Sequence, residues 1–168
     1  MTKLDETLER FSADVQARPA TLEDLPVLCE MAVLLLAEWK AGLSHFRPEV
    51  LTDHIATVMA GPGSAVFVVE SEGDAVGMMC CGIAPDDYWD TVLTGALWCM
   101  YVRPEHRHQA KYMFALCKSC IEFLKGEGVI KVRTILDTEY QSHISRAQKL
   151  FGMKHSYTFD VYDLSLED

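Results

Sequence analysis

The order of local patterns along the chain predicts an α/β domain built on a mixed sheet, and two observations carry that prediction. A hairpin pattern spans 65–81, which makes part of the sheet antiparallel. A strand, a long amphipathic helix and a second strand then follow over 92–136, a unit that demands a parallel pair joined by a right-handed crossover. The length of 168 residues suits one domain, and 49% hydrophobic with 24% charged residues provides both a core and charge along the whole chain. Residues 1–14 are expected to form an amino-terminal extension and 15–168 the single domain.

Each element has its own signal. Val15-Gln16-Ala17-Arg18 alternates and stops at Pro19, giving a short first strand. Thr21 offers a cap ahead of Leu22, Leu25, Leu28, Cys29 and Ala32, whose spacing predicts a helix to about Trp39. Pro48 opens a second helix carried by Val50, Leu51, Ile55, Val58 and Met59, and Gly61-Pro62-Gly63 ends it. The period then changes to that of strands over 65–70 and 75–81, joined by a turn at Ser71-Glu72-Gly73-Asp74. A polar, aromatic loop over 84–90 leads into a long strand over 92–102, which Pro104 closes. From 105 to 125, Ala110, Met113, Leu116, Cys117, Cys120 and Leu124 recur at helical spacing, with Gly126 and Gly128 as the stop. A strand over 129–136, a shorter helix over 141–151 and a β-like tail over 153–166 complete the order β-α-α-β-β-β-α-β-α-β, with room for one more strand.

Charge excludes whole classes of partner. Fifteen Lys and Arg oppose 25 Asp and Glu for a net charge of −10, so the average field repels nucleic-acid backbones and anionic lipid headgroups. No nucleic acid and no membrane is expected as a partner. The first ten residues lack the basic start and apolar stretch of a secretory signal. The longest apolar run, bounded by Glu30 and Glu38, falls short of the roughly 20 residues that span a bilayer. A cytoplasmic location is expected, and the six cysteines, set in apolar surroundings, read as reduced core thiols. Cys117-x-x-Cys120 has the spacing of a zinc or redox pair, but it falls mid-helix without a second ligand pair, so no metal is expected.

One stretch reverses the sign of the field. Met100-Tyr101-Val102-Arg103-Pro104-Glu105-His106-Arg107-His108-Gln109-Ala110-Lys111-Tyr112 runs from the end of a strand into the start of the best helix. A helix start presents unpaired N–H groups and the positive end of the macrodipole, and so attracts anions. Arg103, Arg107 and Lys111 gather there with only Glu105 expected to oppose them, while His106 and His108 add protonatable rings. The competing reading is a solvated basic face.

The chain resembles the GNAT superfamily of acyl-CoA N-acyltransferases over nearly its whole length. Ala17-Arg18-Pro19-Ala20-Thr21 with Asp24-Leu25-Pro26 is similar to the family's first strand and helix, Val102-Arg103-Pro104-Glu105-His106-Arg107 to the approach to its pyrophosphate loop, and Lys149-Leu150-Phe151-Gly152-Met153 to the end of its last helix. The resemblance implies a mostly antiparallel central sheet of six or seven strands with helices on both faces. It also implies acetyl-CoA or another acyl-CoA as co-substrate, with the backbone of Arg107, His108, Gln109, Ala110, Lys111 and Tyr112 on the pyrophosphate. Met100 and Val102, with Gln141 and Ser142, would hold the pantetheine arm. The family loop reads Arg or Gln, two residues, Gly, one residue, then Gly or Ala; here Ala110 takes the first small position and Tyr112 the second. Tyr112 must either crowd the phosphates or turn into the core. Glycine-poor loops of this kind resemble those of members encoded by tailed bacteriophages.

Acyl transfer from a thioester to an amine needs the amine deprotonated, the carbonyl polarised and the thiolate protonated. The family's usual Glu on the long strand and Tyr on the last helix are both missing, since 92–102 holds no carboxylate and the Tyr position is Gln148. Tyr101, Asp137 at the end of the following strand and His143 early on the last helix are the replacements in position. Their competing readings are a core ring, a helix cap and a surface ring. Cys99 reads as a strand-core thiol, with no neighbouring His or Asp in sequence to make it a nucleophile. The acceptor side falls to Trp39, His45 and Phe46 and to the loop holding Asp86, Asp87, Tyr88, Trp89 and Asp90, where acids interleaved with aromatics suit a cationic amine or an ordinary solvated loop. The expected function is N-acyl transfer to a small-molecule or protein amine, with a homodimer allowed by an exposed strand edge. The alternative is a catalytically silent binding or inhibitory protein of the same fold that targets another protein.

Overall fold

The structure, a computed structural model, describes residues 3–12, 14–38, 47–83 and 93–134. The elements are α1 (Lys3–Ser12), β1 (Ala17–Pro19), α2 (Leu25–Glu38) entered through a 3-10 turn at Leu22–Asp24, α3 (Pro48–Ala60), β2 (Ser64–Ser71), β3 (Asp74–Ile83), β4 (Thr94–Val102), a 3-10 turn at Pro104–His106, α4 (Ala110–Gly126) and β5 (Lys131–Thr134). The expected order holds through β5. The helix and strands expected beyond it lie outside the described residues.

Five strands form one sheet in the order β1-β2-β3-β4-β5. The first three pairings are antiparallel, and β4 runs parallel to β5, with Thr94 to Leu97 opposite Lys131 to Thr134. The β2–β3 hairpin closes through Glu72 and Gly73, whose φ values of 55° and 93° are both left-handed, as a two-residue turn of this hand requires. Helices cover both faces of the sheet. α1 and α4 pack with Phe67, Val69, Met79, Cys81 and Leu97, whereas α2 and α3 pack with Val66, Val68, Met78 and Cys80. Alternation along β2 from Ala65 to Val69 and along β3 from Met78 to Cys81 divides the two cores, a register shift at Val69/Glu70 breaks it between Val76 and Met78, and Cys80 and Cys81 point to opposite faces as expected. Gly95 lets α4 lie close, because a Cβ there would meet Leu124 at 2.8 Å.

The expected extension contains α1, which is part of the packing. Leu8 is buried, Phe11 stacks on Phe114 with ring centroids 4.7 Å apart, and Lys118 and Lys125 of α4 pair with Glu9 and Asp5. All six cysteines are free. Cys117 and Cys120 are buried in α4, and burial pushes the Cys117 thiol up to about 12, which makes it inert.

A further register shift falls between β3 and β4. Cys80 pairs with Trp98 and Met78 with Tyr101, so Met79 alone opposes Cys99 and Met100. This is a β-bulge, and Cys99 sits in it at φ 51°, a conformation uncommon outside glycine. The extra residue reverses the alternation: Leu97 and Val102 belong to the α4 side, while Tyr101 joins the α2 side.

Candidate active site at the end of β4 and the start of α4

β4 ends at Val102, and α4 starts at Ala110 with Gln109 as its N-cap. The connection folds on itself through short backbone bonds. The N–H groups of His106, Arg107, Gln109 and Tyr112 donate to the carbonyls of Arg103, Pro104, His106 and Gln109 at 2.9, 3.3, 3.0 and 3.4 Å. The N–H groups of His108, Ala110 and Lys111 have no partner among the described residues. Three donors unfilled among the described residues thus stand at the positive end of a 17-residue helix. That donor set fits the pyrophosphate of an acyl-CoA, with backbone N–H groups for phosphate oxygens.

Tyr112, at a position the family keeps small, turns inward. It is 3% exposed, its hydroxyl donates to Ser71 Oγ at 2.9 Å, and its ring meets His106 edge to face at 5.4 Å. The bulky ring therefore leaves the outer side of the turn to backbone. Lys111 Nζ lies 5.1 Å over the same ring. His106 Nδ1 is shielded from solvent and has no hydrogen-bond partner among the described residues.

The expectation that only Glu105 opposes the basic cluster is corrected. Two carboxylates of α2 reach it: Glu30 accepts from Arg103 at 3.0 Å, and Glu38 takes both oxygens to one Arg107 nitrogen at 2.6 and 2.8 Å. In sequence these acids appear only as the ends of an apolar run. Their spacing of eight residues puts them about 12 Å apart along α2, within reach of the two arginines that flank the 3-10 turn. Arg107 also donates through Nε to the Val102 carbonyl at 2.7 Å, and its guanidinium carbon lies 5.2 Å over the Tyr101 ring.

Tyr101, expected as a proton-moving group, is 3% exposed. Burial, helped by the Glu38 carboxylate, pushes its phenol above the ordinary value, while Arg107 and Arg103 pull the other way. Met100 is half-buried on the α4 side and Val102 is buried. Cys99, half-buried, accepts a hydrogen bond from the Cys80 thiol that holds it below its ordinary value and holds Cys80 above. His108 and Ala110 are exposed, and Gln109 is half-buried at the cap. Trp39, His45, Phe46, Asp86, Asp87, Tyr88, Trp89, Asp90, Asp137, Gln141, Ser142, His143 and Gln148 lie outside the described residues. Among the described residues no three His, Cys, Asp or Glu side chains group as a metal site, and no helix is long and apolar enough to cross a membrane.

A sheet covered on both faces, with open backbone donors at a helix start directly behind its bulged strand, is an α/β fold with a candidate anion site. The sequence profile of the Acetyltransferase (GNAT) family matches residues 30–153, and the chain belongs to that family. No curated protein matches it. Solved structures are similar in fold. A predicted acetyltransferase from Clostridium acetobutylicum, solved with acetyl-CoA, has a TM-score of 0.71 at 14% identity and covers 90% of this chain and 96% of its own. An aminoglycoside 6'-N-acetyltransferase from Acinetobacter haemolyticus gives 0.67 at 16% identity, with 90% and 99% covered. Glucosamine-6-phosphate N-acetyltransferase from Arabidopsis thaliana gives 0.66 at 14%, again with 90% and 99%.

Proposed function

We propose that the chain moves an acetyl or other acyl group from acyl-CoA to a primary amine, by direct attack of the amine on the thioester within a ternary complex. One observation carries this: the unfilled N–H groups of His108, Ala110 and Lys111 at the head of α4, directly behind β4. In this reading the backbone from Arg107 to Tyr112 holds the pyrophosphate, and Met100, Val102, Gln141 and Ser142 line the pantetheine arm. The Tyr101 phenol, held protonated by burial, is suited to give a proton to the leaving thiolate. Asp137 and His143 are the groups proposed to take the proton of the amine.

Trp39, Asp86, Asp87, Tyr88 and Trp89 are proposed for the acceptor side, where carboxylates and aromatic faces hold a cation. The named relatives that acetylate an aminoglycoside or glucosamine-6-phosphate support a small-molecule amine; a protein amine and a homodimer belong to the wider form of the proposal. Six free thiols support a cytoplasmic setting.

The second reading, a silent binding or inhibitory module, is favoured by one feature: β4 contributes no carboxylate to the site. Calorimetry with acetyl-CoA separates the two, followed by thiol release across a panel of primary amines. Sub-millimolar binding with release on at least one amine is the expected result. Binding weaker than millimolar sinks the enzyme, and binding without release on any amine favours the module.

A further inference from the structure

Arg107 stands in the middle of the loop expected to meet phosphate, yet its side chain faces the other way. One end is fixed by Glu38 at 2.6 and 2.8 Å, the Nε by the Val102 carbonyl at 2.7 Å, and its flat face by the Tyr101 ring. Those partners come from the last residue of α2 and the last two residues of β4. The contact exists because the bulge at Cys99 turns Tyr101 to the α2 side, and it is partly sheltered, with Arg107 37% and Glu38 24% exposed at the side chain. Arg107 is also the residue whose N–H closes the turn onto Pro104. Fixing its side chain therefore fixes the start of the segment that presents the His108, Ala110 and Lys111 donors.

We propose that Glu38 is a positioning residue for acyl-CoA: acting through Arg107, it ties α2 to the end of β4 and holds the turn in the shape that aims its backbone donors at phosphate. This rests on the acyltransferase reading of the site. It makes a prediction opposite in sign to simple charge. Glu38→Gln removes an anion close to a polyanion site, which on electrostatics alone tightens binding; a positioning role weakens it.

The test is calorimetry with acetyl-CoA on wild type, Glu38→Gln, Arg107→Gln and the double variant, at a temperature where circular dichroism shows each fully folded. Each single change is expected to weaken binding about fivefold, or ~1 kcal/mol, and the double variant to be within about twofold of the weaker single, because both break one unit. Unchanged or tighter binding by Glu38→Gln overturns the inference, as do losses that multiply in the double variant. Failure of wild type itself to bind acetyl-CoA is a different result, since it sinks the acyltransferase reading along with what rests on it.

Discussion

Two arginines, Arg18 and Arg107, each pair with carboxylates, and Arg107 is the one in the proposed cofactor site. Arg18 grips Asp24 through two nitrogens at 2.8 Å each, adds Glu70 and the Pro19 carbonyl, and Asp24 accepts further from the Thr21 N–H at 2.7 Å. That cluster is closed: it locks β1 to β2 and to the start of α2. Arg107 is paired as fully, but the turn it belongs to leaves three N–H groups without a partner among the described residues. A count of cations does not separate the two places. What separates them is what stands at each helix start: at the entry to α2 the Asp24 carboxylate already fills the Thr21 N–H, whereas the donors beside Arg107 head the 17-residue α4 with no carboxylate on them among the described residues.

The largest expected effect tests whether Tyr112 belongs to the core or to the site. Tyr112→Ala removes a buried ring and its bond to Ser71, and should cost about 3–4 kcal/mol in urea unfolding. If the ring faced the phosphates, the same change would leave stability nearly untouched and tighten acetyl-CoA binding, and that outcome would return Tyr112 to the site.

A smaller effect is expected at the closed cluster. Asp24→Ala removes the partner of Arg18 and the acceptor for Thr21, a loss of about 2 kcal/mol at pH 7. The guanidinium of Arg18, with the Thr21 N–H, holds the Asp24 carboxyl well below the usual range. A carboxyl depressed in the folded state stabilises above its unfolded value of about 3.9 and loses that contribution as pH falls towards the folded value. The gap between wild type and Asp24→Ala should thus be full at pH 7 and shrink below about pH 4. A gap independent of pH would mean that the charge of Asp24 has no part in it. Acetyl-CoA affinity should not change.

The fold was legible where the pattern had contrast. The alternation across Cys80 and Cys81, the Glu72-Gly73 turn and the stop at Gly61-Pro62-Gly63 all read directly into structure. Leu4, Leu8 and Phe11, at helical spacing behind the acids of a first turn, carried a signal for α1 that the expected extension did not use. The bulge on β4 could not be seen, because every residue from Leu97 to Val102 is apolar and an inserted residue leaves no break in such a run. Reading period two through it assigns Tyr101 to the wrong face. The candidate site was legible as a strand end feeding a helix start, whereas the ion pairs of Glu30 and Glu38 were not, since they depend on how α2 crosses the sheet.

The sharpest separation of the two arginines leaves both side chains alone and removes a single N–H. Ala110 is the first residue of α4, follows a cap with extended backbone at φ −102° and ψ 92°, and is exposed. Proline is favoured at the first helical position, where its missing N–H breaks no helical bond and its ring fits the turn. Ala110→Pro should therefore leave the unfolding midpoint nearly unchanged. It nevertheless deletes one of the three open donors, and losing a hydrogen bond to a charged phosphate should weaken acetyl-CoA about tenfold, or ~1.4 kcal/mol. Calorimetry beside urea unfolding reads both quantities on one protein. Equal affinity at equal stability would show that phosphate does not use this N–H, and that the opening beside Arg107 is as closed to ligand as the cluster around Arg18.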